Sequence, residues 1–169
     1  DRKKSGGGEL LDQGSHLIDL VHYLTDKSYS IEYSNLRNIF WGGEVEDNAL
    51  MILKSKDCET IANLNASWTE WKNKFIFEVF TNQKQFVING LGGSYGTESL
   101  TIYEMSKEMG PPKTTIYEYP GADLSWQLET EYFISKLEAE LYTENNLNET
   151  MKLHDIVNNI YKLNYVGIS

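Results

Sequence analysis

The feature that most constrains the fold is a change in the period of hydrophobicity along the chain. The middle part contains seven short runs that are rich in β-branched and aromatic residues and separated by turn-forming residues. These predicted strands cover residues 30–41, 48–55, 60–68, 75–81, 85–89, 99–105 and 114–119. Short links between consecutive strands favour antiparallel pairing. The sequence therefore predicts an α+β fold, with an open, mainly antiparallel mixed sheet and helices packed on one of its faces.

A helical period precedes the strands, from Glu9 to about Thr25. Its apolar residues recur at spacings of three and four, which is typical of an amphipathic helix that buries one face. The predicted buried stripe consists of Leu10, Gly14, Leu17, Val21 and Leu24. The three glycines before this helix, Gly6 to Gly8, cannot themselves form a stable helix. We expect them to be a flexible link into it.

The helical period returns after the strands, over residues 124–142 and from Asn148 to about Tyr165. Asp123 or Ser125 is predicted to cap the first of these helices, and Asn148 the second. The predicted buried residues are Leu124, Leu128, Tyr132, Leu137 and Leu141 in the first helix and Met151, Ile156, Ile160 and Leu163 in the second. The chain is thus predicted to run from one helix through the strands to two further helices.

Length and charge limit the class of function. A chain of 169 residues is long enough for one domain of ordinary size. The 15 Lys and Arg residues against 25 Asp and Glu residues give a net charge of −10, which disfavours nucleic acid or an anionic membrane as a partner. No apolar run approaches the ~20 residues of a membrane-spanning helix, and the single cysteine, Cys58, excludes a disulfide framework. We expect a cytoplasmic protein.

A row of polar side chains on the first helix carries the candidate chemistry. Asp12 and His16 are four residues apart and therefore lie one above the other, and Asp19 continues the row. At ~100° per residue, this row sits about 200° from the apolar stripe and faces away from the predicted core. An unperturbed histidine has a pKa close to neutrality, and a carboxylate one turn away can orient the imidazole and stabilise its charged form. The pattern suits general acid–base chemistry on a hydroxyl group.

Two other interpretations of this row stay open. Asp and His at this spacing are also typical of a solvated helix face with a weak ion pair. Together with His22, the row offers several oxygen and nitrogen ligands for a metal ion. However, His22 lies six residues from His16 and points well off the row. We therefore predict no metal site.

The glycine-rich segment Gly90 to Gly96 follows a predicted strand and invites comparison with a dinucleotide-binding loop. A G-x-G-x-x-G pattern that starts at Gly90 needs glycine at position 95, where this chain has Tyr95. The residues after it predict a strand, not the helix whose N-terminus faces a pyrophosphate. We predict a turn here and no nucleotide site in this chain.

Two tryptophans are candidate substrate-binding residues. Trp68 and Trp71 flank Thr69 and Glu70, and aromatic faces can stack on sugar rings. The alternative is that both rings pack on a face of the sheet, which is the commoner use of aromatic side chains in strands.

The first helix and its glycines carry a resemblance to a known family. The run G-G-G-E-L-L-D-Q-G-S-H-L-I-D, from Gly6 to Asp19, closely resembles the G-G-G-x-L-x-D-x-G-x-H-x-x-D signature of the Gfo/Idh/MocA oxidoreductases. These are NAD(P)-dependent dehydrogenases of sugars, inositols and sugar derivatives. Residues 45–49, 66–68 and 90–96 are similar to further stretches of the family. Residues 108–123 are similar to a subgroup associated with surface-sugar metabolism, so the resemblance covers nearly the whole chain.

The resemblance implies that residues 1–169 form a single C-terminal domain for substrate binding and oligomerisation. In the family, an N-terminal Rossmann domain binds NAD or NADP and supplies a lysine from a Glu-Lys-Pro motif. The aspartate and histidine that match Asp12 and His16 complete the catalytic set, although some members have tyrosine in place of the histidine. The sequence begins at Asp1, in a polar stretch that leads into the glycines, so we expect a piece of a longer protein without its Rossmann domain.

These expectations combine into one functional hypothesis and one alternative. The chain is expected to be the catalytic domain of a sugar or polyol oxidoreductase, with His16 as acid/base, and to be inactive in isolation. A homo-oligomer formed through the sheet face is expected by likeness to the family. The alternative is a non-catalytic sugar-binding or dimerisation module.

Overall fold

The computed structural model describes residues 1–93, 95–138 and 145–165, with the backbone alone at residues 145 and 146. The chain divides into two compact units, Asp1–Thr69 with Thr143–Ser169, and Glu70–Tyr142. The helices are α1 (Arg2–Ser5), a π-helical turn (Leu10–Gly14), α2 (Ser15–Thr25), α3 (Ser125–Glu138) and α4 (Asn145–Tyr165). The strands are β1 (Tyr29–Arg37), β2 (Asn48–Ser55), β3 (Ile61–Ser67), β4 (Ile76–Phe80), β5 (Lys84–Asn89), β6 (Glu98–Glu104) and β7 (Lys113–Tyr119).

The first unit is built on a three-stranded antiparallel sheet in the order β1-β2-β3. In the central strand β2, the alternate residues Ala49, Met51 and Leu53 are fully buried. Leu64 and Ala66 of β3 pair with Met51 and Ala49 and are buried beside them. Because successive side chains of a strand point to opposite faces, this pattern places one face of the sheet on the core.

Helices cover the buried face of this sheet. The π-helical turn and α2 pack against β3, and α4 packs against β1. Their buried side chains include Leu10, Ile18, Val21, Val157 and Ile160. The helix that carries Asp12 and His16 is therefore anchored on the core through its opposite side.

The buried stripe of the first helix agrees with the predicted one at Leu10, Gly14 and Val21 and differs at Leu17 and Leu24. Ile18 is fully buried, whereas Leu17 is half-buried and Leu24 is 48% exposed. The helix opens with a five-residue π-helical turn, which closes its hydrogen bonds over one more residue than an α-helix does. The residues after it are rotated relative to an unbroken α-helix, and this rotation brings Ile18 to the core.

The last helix begins earlier than predicted, and its predicted stripe is only partly buried. It starts at Asn145 rather than after a cap at Asn148. Ile160 is buried as predicted, together with Val157, whereas the predicted stripe residues Met151 and Leu163 are exposed.

A polar residue of α4, Asn164, also contacts the sheet. Asn164 Oδ1 accepts the N–H of Leu36 in β1 at 3.0 Å, and its Nδ2 donates to Ser34 Oγ at 2.9 Å. β1 is an edge strand of the sheet, so its backbone groups need partners from outside the ladder. An apolar stripe cannot predict a contact of this kind.

The second unit contains a four-stranded antiparallel sheet in the order β4-β5-β6-β7. A hairpin joins β4 to β5 and is closed by the Thr81 N–H donating to the Lys84 carbonyl at 2.9 Å. The glycine-rich segment joins β5 to β6. Gly90 and Gly92 have φ values of 76° and 62°, which glycine adopts without a Cβ penalty, so the predicted turn is confirmed.

The apolar residues predicted for the buried stripe of α3 are exposed. They are Leu124, Leu128, Tyr132 and Leu137, which are 54%, 59%, 60% and 44% exposed, while Leu141 lies outside the described residues. The predicted cap is present, because the Asp123 carboxylate accepts the Ser125 N–H at 2.9 Å, a bond that lowers the pKa of Asp123. An amphipathic period predicts which face of a helix suits a partner surface, not whether the chain itself supplies that surface.

The observed elements confirm the α+β class, with antiparallel sheets and helices. All strand pairs in the described ranges are antiparallel, and the seven strands form two sheets. β1 is shorter than predicted, since it ends at Arg37 and not at Trp41. No helix in the described part of the chain has the length and apolar character needed to cross a membrane.

Candidate functional site

Asp12 lies in the π-helical turn that precedes α2. Ser15 Oγ donates to the carbonyl oxygens of Leu11 and Asp12, at 2.8 and 3.2 Å, where this turn joins α2. Asp12 itself is exposed, and its Oδ1 accepts a hydrogen bond from Gln13 Nε2 at 3.3 Å. π-helical turns are rare and frequently occur at functional sites. The backbone irregularity therefore coincides with the carboxylate that the sequence singles out.

His16 follows in the first turn of α2. Its imidazole is exposed, as are the side chains of Asp12 and Asp19 in the same row. Within the described ranges, no hydrogen bond or ion pair joins Asp12 to His16. The row is open to solvent, and both side chains can reach a ligand.

The glycine run before the π-helical turn is closely packed, which corrects the expectation of a flexible link. Gly7 and Gly8 are both buried. A Cβ atom on Gly8 would overlap the carbonyl oxygen of Glu46, and one on Gly7 would overlap the hydroxyl of Tyr161. Glycine is required here by the close approach of other groups, and the packing holds the start of the helix that carries Asp12.

Glu46 is the residue that fixes the glycine run. Its side chain is 2% exposed, and its Oε1 accepts the N–H of Gly8 at 3.1 Å and the N–H of Leu10 at 3.2 Å. The same oxygen accepts the hydroxyl of Tyr161 at 2.6 Å, and Oε2 accepts the hydroxyl of Tyr165 at 3.0 Å. One buried carboxylate therefore joins the start of this helix to α4.

The two tyrosines of α4 form an aromatic stack beside Glu46. Their ring centroids lie 5.7 Å apart, and the guanidinium of Arg2 lies 4.2 Å from the centroid of Tyr165. Burial, and then the hydrogen bond to Glu46, raises the pKa of Tyr161. Burial, and then the charge of Glu46, raises the pKa of Tyr165 to about 12. Both hydroxyls thus stay protonated and act as donors.

Glu9 is a second buried acid next to the candidate site. Its side chain is 2% exposed, and its Oε2 atom has no hydrogen-bond partner in the part of the chain that the structure describes. Burial, followed by the nearby charges of Asp12 and Glu46, raises the pKa of Glu9 to about 8. Glu9 is therefore mainly protonated at neutral pH.

Asp47 organises the loop that follows β1. It is 1% exposed, and its carboxylate accepts the N–H groups of residues 39–41 at 2.8, 2.8 and 3.0 Å. Burial alone would raise the pKa of Asp47, but these three hydrogen bonds and one from the Asn48 side chain outweigh it and lower the pKa to about 2. The N–H groups are therefore unavailable to a strand ladder, which explains why β1 ends at Arg37.

The sequence pattern assigns no role to Glu9, Glu46 or Asp47, although the last two lie within residues 45–49, a stretch similar to the family. The available signal was position: acidic residues directly before the first helix and directly before a predicted buried strand. Such residues are rarely buried unless they have specific partners, and those partners lie far away in sequence.

The candidate substrate-binding tryptophans lie in different units. Trp68 belongs to the first unit, where its N–H donates to the Asp47 carbonyl at 2.9 Å and its side chain is 40% exposed. Trp71 belongs to the second unit and is 86% exposed. Trp68 is thus the one of the two that shares a unit with Asp12 and His16.

Two cavities lie elsewhere in the described residues, and neither is lined by the acid–base row or by the tryptophans. The larger cavity, of about 590 Å³, lies in the first unit between the glycine run and α4, and its walls include Arg2, Leu11, Tyr161 and Lys162. The smaller, of about 270 Å³, lies in the second unit. No group of three or more His, Cys, Asp or Glu side chains in the described ranges is arranged to hold a metal ion.

Comparison with solved structures finds the same fold in several proteins. KijD10, a 3-ketoreductase from Actinomadura kijaniata in complex with TDP-benzene and NADP, matches 90% of this chain with a TM-score of 0.72 and 13% identity. A protein from Bacteroides fragilis assigned as an oxidoreductase matches 92% with a TM-score of 0.68 and 19% identity. The UDP-N-acetylglucosamine 3-dehydrogenase GnnA from Acidithiobacillus ferrooxidans matches 88% with a TM-score of 0.59 and 14% identity.

The present chain spans about half the length of these proteins, with 46%, 51% and 43% of their chains covered. No curated protein matches the sequence. The family model of the GFO/IDH/MocA C-terminal domain matches residues 1–95, which is more than half of the 169 residues. The resemblance carried by the first helix is thereby confirmed, and the chain belongs to the GFO/IDH/MocA family of oxidoreductases, as a C-terminal domain.

Proposed function

We propose that this chain is the substrate-binding and catalytic domain of a nicotinamide-dependent oxidoreductase that acts on a sugar, a polyol or a sugar derivative. One observation carries the proposal: Asp12 and His16 are exposed on consecutive turns of a helix whose start is locked by Glu46. Family membership supports it, as does the shared fold with a 3-ketoreductase and a UDP-N-acetylglucosamine 3-dehydrogenase. The reaction converts a secondary hydroxyl to a carbonyl, or the reverse.

His16 is the proposed general acid/base. In the oxidation direction, its imidazole accepts the proton of the substrate hydroxyl, and in the reduction direction it returns a proton to the carbonyl oxygen. Asp12, one turn away, favours the imidazolium form and orients the ring when the two side chains approach each other. A second proton-transfer partner is the lysine of the Glu-Lys-Pro motif that the family resemblance implies for the Rossmann domain.

The described residues do not form a dinucleotide site by themselves. The turn from Gly90 leads into strand β6, so it lacks the helix N-terminus that holds a pyrophosphate. NAD or NADP would therefore be bound mainly by a Rossmann domain. In this chain, the exposed row of Asp12 and His16 on the first helix is the proposed place where the substrate and the nicotinamide ring meet. A bound nicotinamide supplies the hydride acceptor or donor. We expect the isolated chain to be inactive and the protein to be cytoplasmic.

Binding surfaces complete the proposal. Trp68, which shares the first unit with Asp12 and His16, is proposed to stack on a sugar ring, and Trp71, exposed in the second unit, is proposed as a separate sugar contact. A homo-oligomer formed through the sheet face is supported by large apolar side chains exposed on β4 and β7, among them Ile76, Phe80 and Ile116. A non-catalytic sugar-binding or dimerisation module would share these surfaces but would need neither Asp12 nor His16.

The test is turnover by the full-length protein, with NAD⁺ and NADP⁺ as hydride acceptors, on a panel of sugars and nucleotide-linked sugars. Replacement of His16 by alanine should lower kcat/KM by about 10²–10⁴-fold, which is the usual contribution of a general acid/base. His154→Ala, at an exposed histidine of α4, is the matched control and should keep the wild-type rate. An unchanged rate in His16→Ala would refute the role of His16, and sugar binding without turnover would favour the non-catalytic module.

A further inference from the structure

We infer that the buried carboxyl group of Glu9 is protonated while Asp12 in the candidate site is ionised. The proton of Glu9 is held more tightly when Asp12 carries its charge, and Glu9 acts on the site through Asp12 as a positioning residue. A change of charge at the exposed acid–base row is thereby transmitted to a buried group one helical turn away. The role in catalysis rests on the proposed function, whereas the proton linkage is a property of this chain alone.

The geometry around Glu9 favours the neutral acid. The side chain is 2% exposed, and its Oε2 atom is buried without a hydrogen-bond partner in the described ranges. A buried carboxylate without donors loses its hydration and gains nothing in return, whereas a protonated carboxyl group carries no net charge to desolvate. Glu9 is also next to the packed glycine run, so water has little access to it.

The two buried acids, Glu9 and Glu46, differ in their hydrogen-bond partners. The carboxylate of Glu46 accepts two backbone N–H groups and two tyrosine hydroxyls, from Tyr161 and Tyr165. Those donors stabilise a charged carboxylate, and all of them are directed at Glu46 rather than at Glu9. The hydrogen-bonding capacity of Glu46 is therefore met by four donors, whereas Oε2 of Glu9 has no donor in the described ranges.

The charged groups on the packed elements explain why Glu9 responds to Asp12. The connection before β2 contributes Glu46, and the helix itself contributes Asp12 and, one turn later, His16. β3 carries no titratable residue, and the one in β2, Lys54, is eight positions from Glu46. On α4 the tyrosine hydroxyls bond to Glu46.

Two cations lie near the glycine run: Arg2 of α1, whose guanidinium lies over the ring of Tyr165, and Lys162 of α4, which lines the same cavity as Arg2. No basic side chain in the part of the chain that the structure describes is paired with Glu9. Its electrostatic neighbours are therefore the two acids Asp12 and Glu46, and both oppose loss of its proton.

The effect of Asp12 on the proton of Glu9 is reciprocal, which fixes its sign. If the charge on Asp12 strengthens the hold of Glu9 on its proton, then loss of that charge weakens the hold by the same free energy. A cation that neutralises Asp12, or protonation of Asp12, therefore makes Glu9 a stronger acid, and the released proton goes to solvent. At alkaline pH, ionised Glu9 would place a second negative charge beside Asp12 and disturb the charge of the site.

The experiment is a carboxyl ¹³C NMR titration of this chain with labelled glutamate, the Glu9 resonance being assigned by its loss in Glu9→Gln. The wild-type midpoint should lie near 8, well above the ordinary value of 4.5. Asp12→Asn should lower that midpoint by at least roughly half a pH unit, because one opposing charge is gone. Asp19→Asn, which removes an exposed carboxylate farther along the same row, is the matched control and should leave the midpoint unchanged.

Three outcomes decide the inference. A midpoint near 8 that falls in Asp12→Asn alone supports it. A wild-type midpoint close to 4.5 overturns it, and so do equal shifts in the two Asp variants. Because the titration needs neither cofactor nor turnover, it is independent of the proposed reaction. In a full-length enzyme that does turn over, Glu9→Gln should also shift the alkaline limb of the kcat/KM profile, which a purely structural role would not move.

Discussion

The hydroxyl of Tyr161 donates to Glu46 Oε1 at 2.6 Å, and this hydrogen bond joins residues 115 positions apart in the sequence. The same oxygen holds the N–H groups of Gly8 and Leu10, so the start of the helix that carries Asp12 depends on a residue of α4. The placement of the candidate acid–base row is therefore a tertiary property of the first unit.

Removal of the Tyr161 hydroxyl should destabilise the first unit without changing any charge. Tyr161→Phe takes one donor from a buried carboxylate, and hydrogen bonds to charged groups contribute about 1.5–3 kcal/mol. We expect a loss of that size in the free energy of unfolding, measured by urea denaturation. Tyr23→Phe, at a side chain that is 82% exposed, is the control and should change stability by less than about 0.5 kcal/mol. Equal losses in the two variants would contradict the role of Tyr161.

Replacement of Gly8 by alanine should be far more costly than the same change at Gly43. The new Cβ atom at Gly8 would overlap the backbone carbonyl of Glu46, which cannot move aside as a flexible side chain can. Overpacking of this kind costs about 1–3 kcal/mol or more. At Gly43 no atom lies within 4 Å of the added Cβ. Thermal unfolding compares the two, and similar Tm values would argue against close packing at the glycine run.

Asp47→Asn should release the loop over residues 39–41 and change the response of stability to acid. The pKa of Asp47 in the folded chain, about 2, lies below its ordinary value of 3.8. Its charge therefore adds stability above 3.8, about 2 kcal/mol from the shift alone, and this contribution is lost as the pH falls towards 2. The difference between wild type and variant should shrink over that range in urea unfolding experiments. Asp19→Asn, at an exposed carboxylate, should show no such convergence.

Glu9→Gln should have the opposite dependence on pH. The folded pKa of Glu9, about 8, lies above its ordinary value of 4.5, so between these values the folded chain keeps a proton that the unfolded chain loses. Wild-type stability then falls by up to about 1.4 kcal/mol per pH unit across this window and levels off above it. Glutamine does not ionise, so the stability of the variant relative to wild type should rise with pH.

Urea unfolding at a series of pH values measures this trend. Glu32→Gln, at an exposed residue of β1, is the matched control and should retain the wild-type dependence. A gain in Glu9→Gln that is constant across the window would mean that Glu9 does not change its protonation there.

Local pattern was sufficient to predict most of the secondary structure. Strand β2 has the predicted bounds, Asn48–Ser55, because alternating side chains and flanking turn residues are encoded within the segment itself. The exception, β1, stops at Arg37 because Asp47 captures the next N–H groups from outside the segment. The apolar stripe of α3 is a second example, because its residues are exposed. The hydrophobic period of a helix does not specify whether another part of the chain covers its apolar face.

The sequence by itself determined the α+β class, the bounds of most elements, and the row of Asp12 and His16, since a spacing of four fixes relative position on a helix. The tertiary structure alone decided that the glycines before this row are packed, that the buried carboxyl group of Glu46 has hydrogen-bond donors, and that Oε2 of Glu9 has none in the described ranges. The physical reason is that burial and hydrogen-bond partners set the charge of an acid, and these come from residues distant in sequence.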